Sequence, residues 1–411
     1  MINSIHIKGF RGIESGSITK FRQFNIFVGA NNAGKSAVME ALYLASTANQ
    51  EVGLIRETED GQLSDLVMLS KTDLLGNNPL KIIAGKHGDL SDLANLSRIK
   101  EAFLIVNVTD SKSPLQEFEL DIGKSKLSTE DIALFTYKFF KEPENEKKDD
   151  IAQLIWQDVD DLIDGNHIVF CWYSDLTYYN KGSANWLIKG QLPASQHTFF
   201  CDTSIVQSYI PITFYRRVLN EVPGWTQRIA RHFGTIFEIE DPFTVQFVPI
   251  LGHPEKLQGW IAREDKPALS IDAFGDGARA AFKLLAPLIV MAEMVTSDAP
   301  GLLLWEEPEA FQNPKTLGNL LREVVKIIRD KPIQVFIATH NLELIAYITQ
   351  MLETQDLDPE ATMLFHLSLS DGKLKSSRFD QETLVTWIDS GIDPRAWKDF
   401  VSPLQFQLQE K

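Results

Sequence analysis

The chain has 411 residues, of which 44% are hydrophobic, and this is typical of a globular protein with about two or three structural units. No stretch approaches the roughly 18 unbroken apolar residues of a membrane-spanning helix, so we expect no membrane anchor. The formal net charge of −16 disfavours broad, nonspecific adhesion to nucleic acid or to anionic membranes.

The N-terminal pattern predicts strands followed by a helix. SIHIKGF alternates Ile5 and Ile7 with polar neighbours, which favours a half-buried strand. RGIESGS supplies turn residues, and the short apolar run FNIFV indicates a strand that is buried on both faces. SAVMEALYLAST is apolar almost all round, so we expect a buried helix there.

Between that strand and that helix lies GANNAGKS, which fits the phosphate-loop pattern G-x-x-x-x-G-K-[ST]. Small residues let successive backbone N–H groups cradle phosphate oxygens, and the helix N-terminus adds partial positive charge. Lys35 can reach the β- and γ-phosphates, and the Ser36 hydroxyl can bind Mg²⁺. The sequence therefore predicts a nucleoside triphosphate site formed by Gly29, Asn31, Asn32, Ala33, Gly34, Lys35, Ser36 and Ala37.

The region from about 51 to 210 carries fewer signals. FLIVNV and HIVFCWYS predict strands, and the charge run EPENEKKDD predicts an exposed loop. Because there is neither a fixed-period repeat nor a sustained heptad pattern, a long coiled-coil arm is disfavoured. We expect a compact insertion.

From about residue 211 the predicted elements alternate between helix and strand. FYRRVLNEVPGWTQRIARHF favours helices broken near Pro223 and Gly224, and GARAAFKLLAPLIVMAEMV favours an apolar helix. GLLLWEE and IQVFIATH predict buried strands separated by the amphipathic helix TLGNLLREVVKIIRD. This alternation predicts an α/β layered core.

Two of these strands end in residues suited to chemistry. Glu306 and Glu307 follow the apolar run of LLLWEE, where one carboxylate can hold Mg²⁺ and the next can act as general base toward water. His340 follows the next strand and can bond the γ-phosphate or orient the attacking water. In isolation, a solvated acidic turn and a strand-end histidine with an ordinary backbone hydrogen bond would be the favoured interpretations, and the phosphate loop in the same chain favours the chemical roles instead.

A second glycine-rich helix start lies at Gly275, Asp276 and Gly277. Its N–H groups can contact phosphate, and Arg279 can add a charge-assisted contact. If that phosphate belonged to a neighbouring subunit, nucleotide would hold a dimer together. The alternative is a plain glycine helix cap.

Basic and aromatic residues share the helical stretch before that helix. The arginines could contact a nucleic-acid backbone, and the aromatic rings could stack on bases. The favoured alternative is a solvated helix face over aromatic core residues. The residues concerned are Arg216, Arg217, Arg228 and Arg231, with Tyr215, Trp225 and Phe233.

These segments, in this order, resemble the ABC-type ATPase heads of the RecF, SMC and OLD group, in its AAA-15/AAA-21 branch. IHIKGFRGI and FNIFVGANNAGKSAVMEALYL look like the start of that branch. FGDGARAAFKLL is similar to its signature segment, LLLWEEPEAFQNP to its Walker B and D-loop segments, and IATHNLELI to its switch-histidine segment. The resemblance covers residues 1–50 and 265–350, with a weak echo in WIDSGIDPR.

The resemblance implies an α/β fold, namely a P-loop ATPase head with a mixed sheet and flanking helices, interrupted by an α+β insertion. It implies that the phosphate loop binds ATP and Mg²⁺, that Glu306 is a metal residue, and that Glu307 and His340 are catalytic. It also implies that Gly275, Asp276 and Gly277 cap ATP in trans. The expected segments are the N-terminal head (1–50), insertion (51–210), connector (211–264), C-terminal head (265–370) and tail (371–411).

Three positions depart from the family pattern. Glu306 replaces the usual aspartate, Ala273 stands at the signature serine, and FQNP replaces a histidine-proline segment. OLD nucleases carry a TOPRIM domain after the head, which needs a D-x-D motif at a strand end. Asp356 and Asp358 have the right spacing, but no predicted strand precedes them, so we expect the TOPRIM domain to be absent.

We therefore expect an ATPase of the cytoplasm, since the N-terminus lacks signal-peptide form, that forms an ATP-dependent head dimer or higher oligomer. It would control a separate effector or nuclease, with DNA as a further partner, in anti-phage defence or DNA repair. One alternative is a catalytically weak, ATP-loaded scaffold that sequesters an effector. Another is the nucleotide-binding subunit of a transporter, which the insertion, the GFRGI start and the lack of an LSGGQ-type signature disfavour.

Overall fold

The computed structural model describes residues 1–47, 54–55, 66–67, 73–77, 82–83, 86, 101–108, 167–175, 183–189, 197–390 and 393–396. Within these residues, eleven strands form one sheet. In spatial order they are β8 (Ser183–Lys189), β7 (His167–Asp175), β6 (Glu101–Val108), β1 (Ile2–Phe10), β2 (Ile13–Thr19), β17 (Lys373–Phe379), β16 (Thr362–Ser370), β3 (Phe24–Val28), β15 (Ile333–Ala338), β14 (Gly301–Glu306) and β9 (His197–Cys201).

The sheet is mixed. Strands β16, β3, β15, β14 and β9 run parallel to one another, whereas β1, β2, β6, β7 and β8 pair antiparallel. Strand β17 joins the two halves, since it pairs antiparallel with β16 and parallel with β2. All residues of β3, β14 and β15 are buried, as expected for parallel strands covered on both faces.

Helices cover both faces of the parallel half and define two apolar cores. One core joins α1 to side chains such as Phe27 and Phe336, and the other joins the remaining helices to Ile26 and Val335 on the opposite face. The helices are α1 (Lys35–Thr47), α2 (Ile212–Glu221), α3 (Trp225–Phe237), α4 (Asp276–Met294), α5 (Pro314–Ile328), α6 (Leu342–Glu353) and α7 (Gln381–Asp389). The predicted fold class, a mixed sheet with flanking helices, is confirmed.

A smaller antiparallel sheet lies beside α2 and α3. Its strands are β10 (Ile210–Pro211), β11 (Thr244–Ile250), β12 (His253–Arg263) and β13 (Lys266–Ser270), and a separate pair joins β4 (Leu54–Ile55) to β5 (Leu66–Val67). Trp225 stacks on Phe247 at 4.6 Å and donates its indole N–H to the Ala286 carbonyl at 2.7 Å. This aromatic residue therefore fixes the small sheet to α4.

Most predicted elements are confirmed, including the helix break near Pro223 and Gly224. The turn predicted over RGIESGS is wrong in extent, because only Arg11 and Gly12 form a turn and the remainder belongs to β2. A Cβ on Gly16 would lie 2.4 Å from the Cβ of Leu374, so this glycine permits the close approach of β17.

Four strands from the segment 51–210 pair into the central sheet, three at one edge and β9 at the other. The domain boundaries themselves stay a prediction, and the loop predicted over EPENEKKDD lies outside the described residues. Among the helices of the described part of the chain, none is long and apolar enough to cross a membrane.

Candidate nucleotide site

The loop from Gly29 to Ser36 connects β3 to α1 at the carboxyl edge of the sheet. Three of its residues have positive φ angles: 142° at Gly29, 63° at Asn32 and 89° at Gly34. A Cβ on Gly29 would lie 2.3 Å from the carbonyl oxygen of Leu367, so only glycine fits there. The predicted strand–loop–helix context of the phosphate loop is therefore present.

The ammonium of Lys35 lies within this loop. Its Nζ donates to the carbonyls of Gly29 at 2.9 Å and Ala30 at 3.0 Å. Burial lowers the pKa of Lys35, and the carboxylates of the acidic strand end partly offset that effect. The acidic residues are therefore near enough to act on the loop electrostatically.

The predicted acidic strand end is formed by Glu306, the last residue of β14, and by the two glutamates that follow. Glu306 is buried, whereas the Glu307 side chain is 44% exposed and its backbone has φ 52°. The Glu307 N–H donates to the Ala338 carbonyl at 2.8 Å, which ties this left-handed residue to the end of β15. An accessible carboxylate held in a strained conformation is consistent with the predicted base.

Parallel pairing of β14 with β15 brings His340 to these carboxylates. The His340 Nδ1 atom lies 3.6 Å from Oε1 of Glu307 and 3.6 Å from Oε1 of Glu309. Glu309 also accepts from the Thr339 hydroxyl at 2.7 Å and from the His340 N–H at 3.3 Å. Glu309, to which the sequence assigned no role, therefore anchors the histidine segment.

The predicted signature residues lie at the N-terminus of α4, against the segment that follows Glu309. Gly275 and Asp276 are exposed, and Gln312 donates its side-chain amide to the Gly277 carbonyl at 2.8 Å. A Cβ on Gly277 would lie 2.6 Å from the Phe311 carbonyl oxygen. Arg279 is bonded within the chain to Asp276 at 2.6 Å and to the Val206 carbonyl at 2.8 Å.

Sequence reasoning missed a charged cluster next to Glu306. The Lys86 Nζ donates to Oε2 of Glu306 at 2.6 Å and also lies near Glu40 and Asp202. Glu40 is the single acid in the apolar helix α1, and Asp202 directly follows the buried strand β9, so each carried a weak local signal. Nothing in the pattern around Lys86 indicated its position.

The C-terminal segment also reaches the site. Arg395 donates from Nη1 to the His340 carbonyl at 2.7 Å, and Asp393 holds its guanidinium. The ring of His366 contacts the Arg395 carbonyl at 3.0 Å. The described part of the tail therefore contacts the head.

Mg²⁺ fits the residues of this strand end. The Oε1 atom of Glu306 is buried and has no hydrogen-bond partner among the described residues, and an orphaned carboxylate oxygen is a ligand for a hard cation. Ser36, at the start of α1, offers a hydroxyl close to the loop. In the described part of the chain, no group of three or more acidic, histidine or cysteine side chains is arranged to hold a metal.

The predicted nucleic-acid contacts are not assembled on α2 and α3. Trp225 and Phe233 are buried in the core, so neither ring can stack on a base. Arg217 donates to the Leu74 carbonyl at 2.7 Å, and Arg228 pairs with Glu293 at 2.5 Å. The alternative of a helix face over aromatic core residues is correct for these positions.

Two family models match the chain. One is described as an AAA ATPase domain and matches residues 1–199, and the other is described as AAA domain, putative AbiEii toxin, Type IV TA system and matches residues 209–346. With the mixed sheet and the loop, they define an ATP-binding ATPase head of the ABC type. The chain is therefore similar to AAA ATPase domains over these two stretches.

Curated relatives match over short stretches. An ATP/GTP phosphatase of Helicobacter pylori is 49% identical over 43 residues, which is 10% of this chain and 12% of that protein. An uncharacterized protein of Methanocaldococcus jannaschii is 46% identical over 54 residues, 13% of this chain and 25% of that protein. The chain thus spans a quarter or less of the length of these two relatives.

Solved structures of SMC heads align along most of the chain. An SMC head bound to the C-winged helix domain of ScpA gives a TM-score of 0.49 at 14% identity, covering 93% of this chain and 98% of that chain. A Pyrococcus furiosus SMC head with an extended coiled coil, bound to the C-terminal domain of ScpA, gives 0.47 at 12% identity, covering 95% and 98%. Because these identities and TM-scores are low, the assignment rests on the family matches and the sheet.

Proposed function

We propose that this ATPase is a switch that dimerises through its heads on binding ATP and controls a separate DNA-directed or toxic partner. The observation that supports it best is the presence of two half-sites on different elements, one between β3 and α1 and the other at the start of α4. The phosphate loop, the carboxylates and His340 share one edge of the sheet, whereas Gly275 and Asp276 are exposed at the N-terminus of α4, which packs on the segment after Glu309. A nucleotide held by the first half-site would reach the second on another copy.

The proposed roles follow from the geometry. Lys35 and the loop N–H groups bind the phosphates, Ser36 and Glu306 hold Mg²⁺, and Glu307 accepts the proton of the attacking water. His340 holds Glu307 toward that water. Mg²⁺ supplies positive charge that neutralises the triphosphate.

Exposed apolar side chains next to the half-sites support a head dimer. Phe311 is 47% exposed beside Gly277, and Leu342 is 38% exposed just after His340. Exposed apolar side chains mark an interaction surface where they form one contiguous patch, and we propose that Phe311 and Leu342 belong to such a patch. Burial of these two residues in a second copy would favour the nucleotide-bound dimer.

The role in anti-phage defence or DNA repair, and the location in the cytoplasm, are proposed by association. The description of one matching family includes a toxin of a type IV toxin–antitoxin system, which motivates a toxic or effector partner. DNA and a nuclease effector are also proposed as partners by association.

A catalytically weak, ATP-loaded scaffold is the second candidate. Ala273 lacks the hydroxyl of the usual signature serine, and Gln312 is engaged by the Gly277 carbonyl of its own chain. Normal ATP binding with turnover well below one per minute would favour it, since enzymes typically turn over about ten times per second.

The test is the solution mass of Glu307→Gln by light scattering, with and without Mg-ATP. Loss of the base should trap ATP, and the mass should double. Lys35→Ala, which removes the phosphate-binding ammonium, should remain at the lower mass in both conditions. Gly275→Asp places a negative charge at the proposed trans site, where a Cβ would meet no other atom within 4 Å. This variant should bind ATP without dimerising.

The matched control is Leu251→Asp, which adds the same charge at a side chain that is 99% exposed. It should dimerise like the parent. A mass that ignores ATP in Glu307→Gln, despite bound nucleotide, would reject the dimer switch in favour of the scaffold.

A further inference from the structure

Lys86 holds together three carboxylates from three separate elements. Glu306 ends β14, Glu40 lies in α1, and Asp202 follows β9. The distances from Lys86 Nζ are 2.6 Å to Glu306 Oε2, 3.5 Å to Glu40 Oε1 and 3.5 Å to Asp202 Oδ2. Lys86 is therefore the cation common to all three carboxylates, and Arg11 pairs in addition with Glu40, from Nη1 to Oε2 at 2.7 Å.

The carboxylates are buried, so they need that charge. Exposed fractions of the side chains are 0% for Glu40, 8% for Glu306 and 11% for Asp202. Lys86 lies 5.3 Å from the centre of the Phe200 ring, so one side of the ammonium is apolar. Buried carboxylates this close to one another are costly without a cation, because repulsion adds to lost hydration.

The pairing with Lys86 involves one of the two carboxylate oxygens of Glu306. Its Oε1 atom is buried and has no hydrogen-bond partner among the described residues, although Oε2 of the same carboxylate is bound to Lys86. A cation could therefore bind Glu306 at Oε1 while Lys86 keeps Oε2. The remaining ligands would have to come from water and from nucleotide phosphates, as is usual for Mg²⁺.

We propose that Lys86 is a tethered cation that takes the place of a divalent ion among Glu40, Asp202 and Glu306, so that metal enters only together with nucleotide. This inference rests on the proposed function, because it takes Glu306 as a metal residue. With Lys86 present, the buried oxygen of the cluster that has no hydrogen-bond partner among the described residues is Oε1 of Glu306. Without it, Arg11 would still pair with Glu40, but Glu306 and Asp202 would lose their ammonium, and the added negative charge would attract a divalent ion in the absence of nucleotide.

Mn²⁺ binding to the full chain tests this, measured by calorimetry and by the paramagnetic resonance signal of free Mn²⁺. Without nucleotide, Lys86→Met should bind Mn²⁺ about tenfold tighter than the wild type, because a positive charge at the cluster is gone. Mn²⁺ alone should raise the melting temperature of Lys86→Met and leave that of the wild type unchanged. With the non-hydrolysable analogue AMP-PNP present, both should bind Mn²⁺.

Two variants control for charge and for position. Lys86→Arg keeps the cation and should behave as the wild type. Lys326→Met removes a lysine that donates at 2.6 Å to Glu323, a carboxylate with 6% exposure away from the phosphate loop. It should gain no Mn²⁺ affinity.

If Lys86→Met fails to fold in metal-free buffer, Lys86→Gln is measured in its place. This variant keeps an amide donor toward Glu306. If neither folds without metal, millimolar Mg²⁺ should restore folding, and failure of that rescue counts against the proposal. A folded Lys86→Met without a gain in Mn²⁺ affinity overturns it, even where the wild type binds Mn²⁺ with AMP-PNP. Absence of AMP-PNP-dependent Mn²⁺ binding in the wild type would instead overturn the proposed function.

Discussion

The Nδ1 atom of His340 lies 3.6 Å from Oε1 of Glu307, across the ends of two adjacent parallel strands. The pairing of Glu306 with Ala338 in the sheet register sets this distance, because Glu307 is the first residue after β14 and His340 is the second after β15. The histidine can therefore orient the carboxylate without any rearrangement of the backbone.

We expect His340→Ala to lower ATP turnover about 10²-fold, since a base that is no longer oriented transfers protons poorly. ATP affinity should change little, because the phosphate loop is untouched. Steady-state hydrolysis and fluorescent-nucleotide titration measure the two effects.

The control for this variant is His253→Ala, which removes an exposed histidine 3.4 Å from Glu255 in the small sheet. It should retain wild-type turnover. If His340→Ala lost affinity in proportion to turnover, the ring would be binding phosphate in the ground state rather than orienting the base.

The phosphate loop and the strand ends could be predicted because their information is contiguous. Gly29 to Ser36 form one segment, and the apolar runs before Glu306 and His340 indicate buried strands directly. Gly16 shows the limit of such reasoning. It was interpreted as a turn residue, yet it lies within β2, where its missing side chain lets Leu374 approach.

Contacts between distant segments could not be predicted from local patterns. Lys86 is 220 positions from Glu306, and Arg395 is 55 positions from His340. Each pairing depends on the order of strands in the sheet, which periodicity does not encode. The position of Asp202 likewise depends on the pairing of β9 with β14, which brings this residue to the cluster.

Gly29→Ala should reduce ATP affinity about tenfold or more, because backbone strain of about 1–3 kcal/mol would distort the loop. Its added Cβ would lie 2.3 Å from the Leu367 carbonyl oxygen at a φ of 142°. Nucleotide titration and thermal melting measure the two effects. Gly12→Ala is the matched control, since its Cβ would make an ordinary 3.6 Å contact with Leu369. Wild-type affinity in Gly29→Ala would contradict this account of the loop.

Stability should fall in acid through Asp272. Burial raises the pKa of Asp272, but hydrogen bonds from Gln258 and Lys283, at 2.6 Å and 2.9 Å, and the charge of Arg279 lower it overall. A depressed carboxyl pKa stabilises the fold above its unfolded value of about 3.9 and loses that contribution as pH falls through the folded pKa.

Asp272→Asn should therefore be less stable than the wild type at neutral pH, by about 1–3 kcal/mol, because Lys283 is left buried without its anion. The difference should narrow as pH falls below about 5, where the wild type begins to lose the contribution. Melting temperatures from pH 7 to pH 3 measure it. Asp356→Asn, at an exposed pair with Arg329, is the control and should follow the wild type. If the stability difference between Asp272→Asn and the wild type stayed constant across this pH range, titration of Asp272 would be excluded as the cause of the loss of stability in acid.

Arg395 offers a test of how the C-terminal segment acts on the site. Its Nη1 donates to the His340 carbonyl at 2.7 Å, and Asp393 binds the same guanidinium, so the tail restrains the backbone of the histidine. Arg395→Ala should lower turnover about tenfold, since small displacements of a catalytic group reduce rates strongly. ATP affinity should be retained, because no atom of Arg395 contacts the phosphate loop among the described contacts.

The matched control is Arg329→Ala, which removes an exposed arginine that also donates to a backbone carbonyl, that of Asp356, at 3.1 Å. It should leave turnover unchanged. Arg395→Lys keeps the charge but not the two-sided geometry, so it should lie between the wild type and Arg395→Ala. If Arg395→Ala raised turnover, the tail would instead be holding His340 away from its productive position, and the contact would be inhibitory.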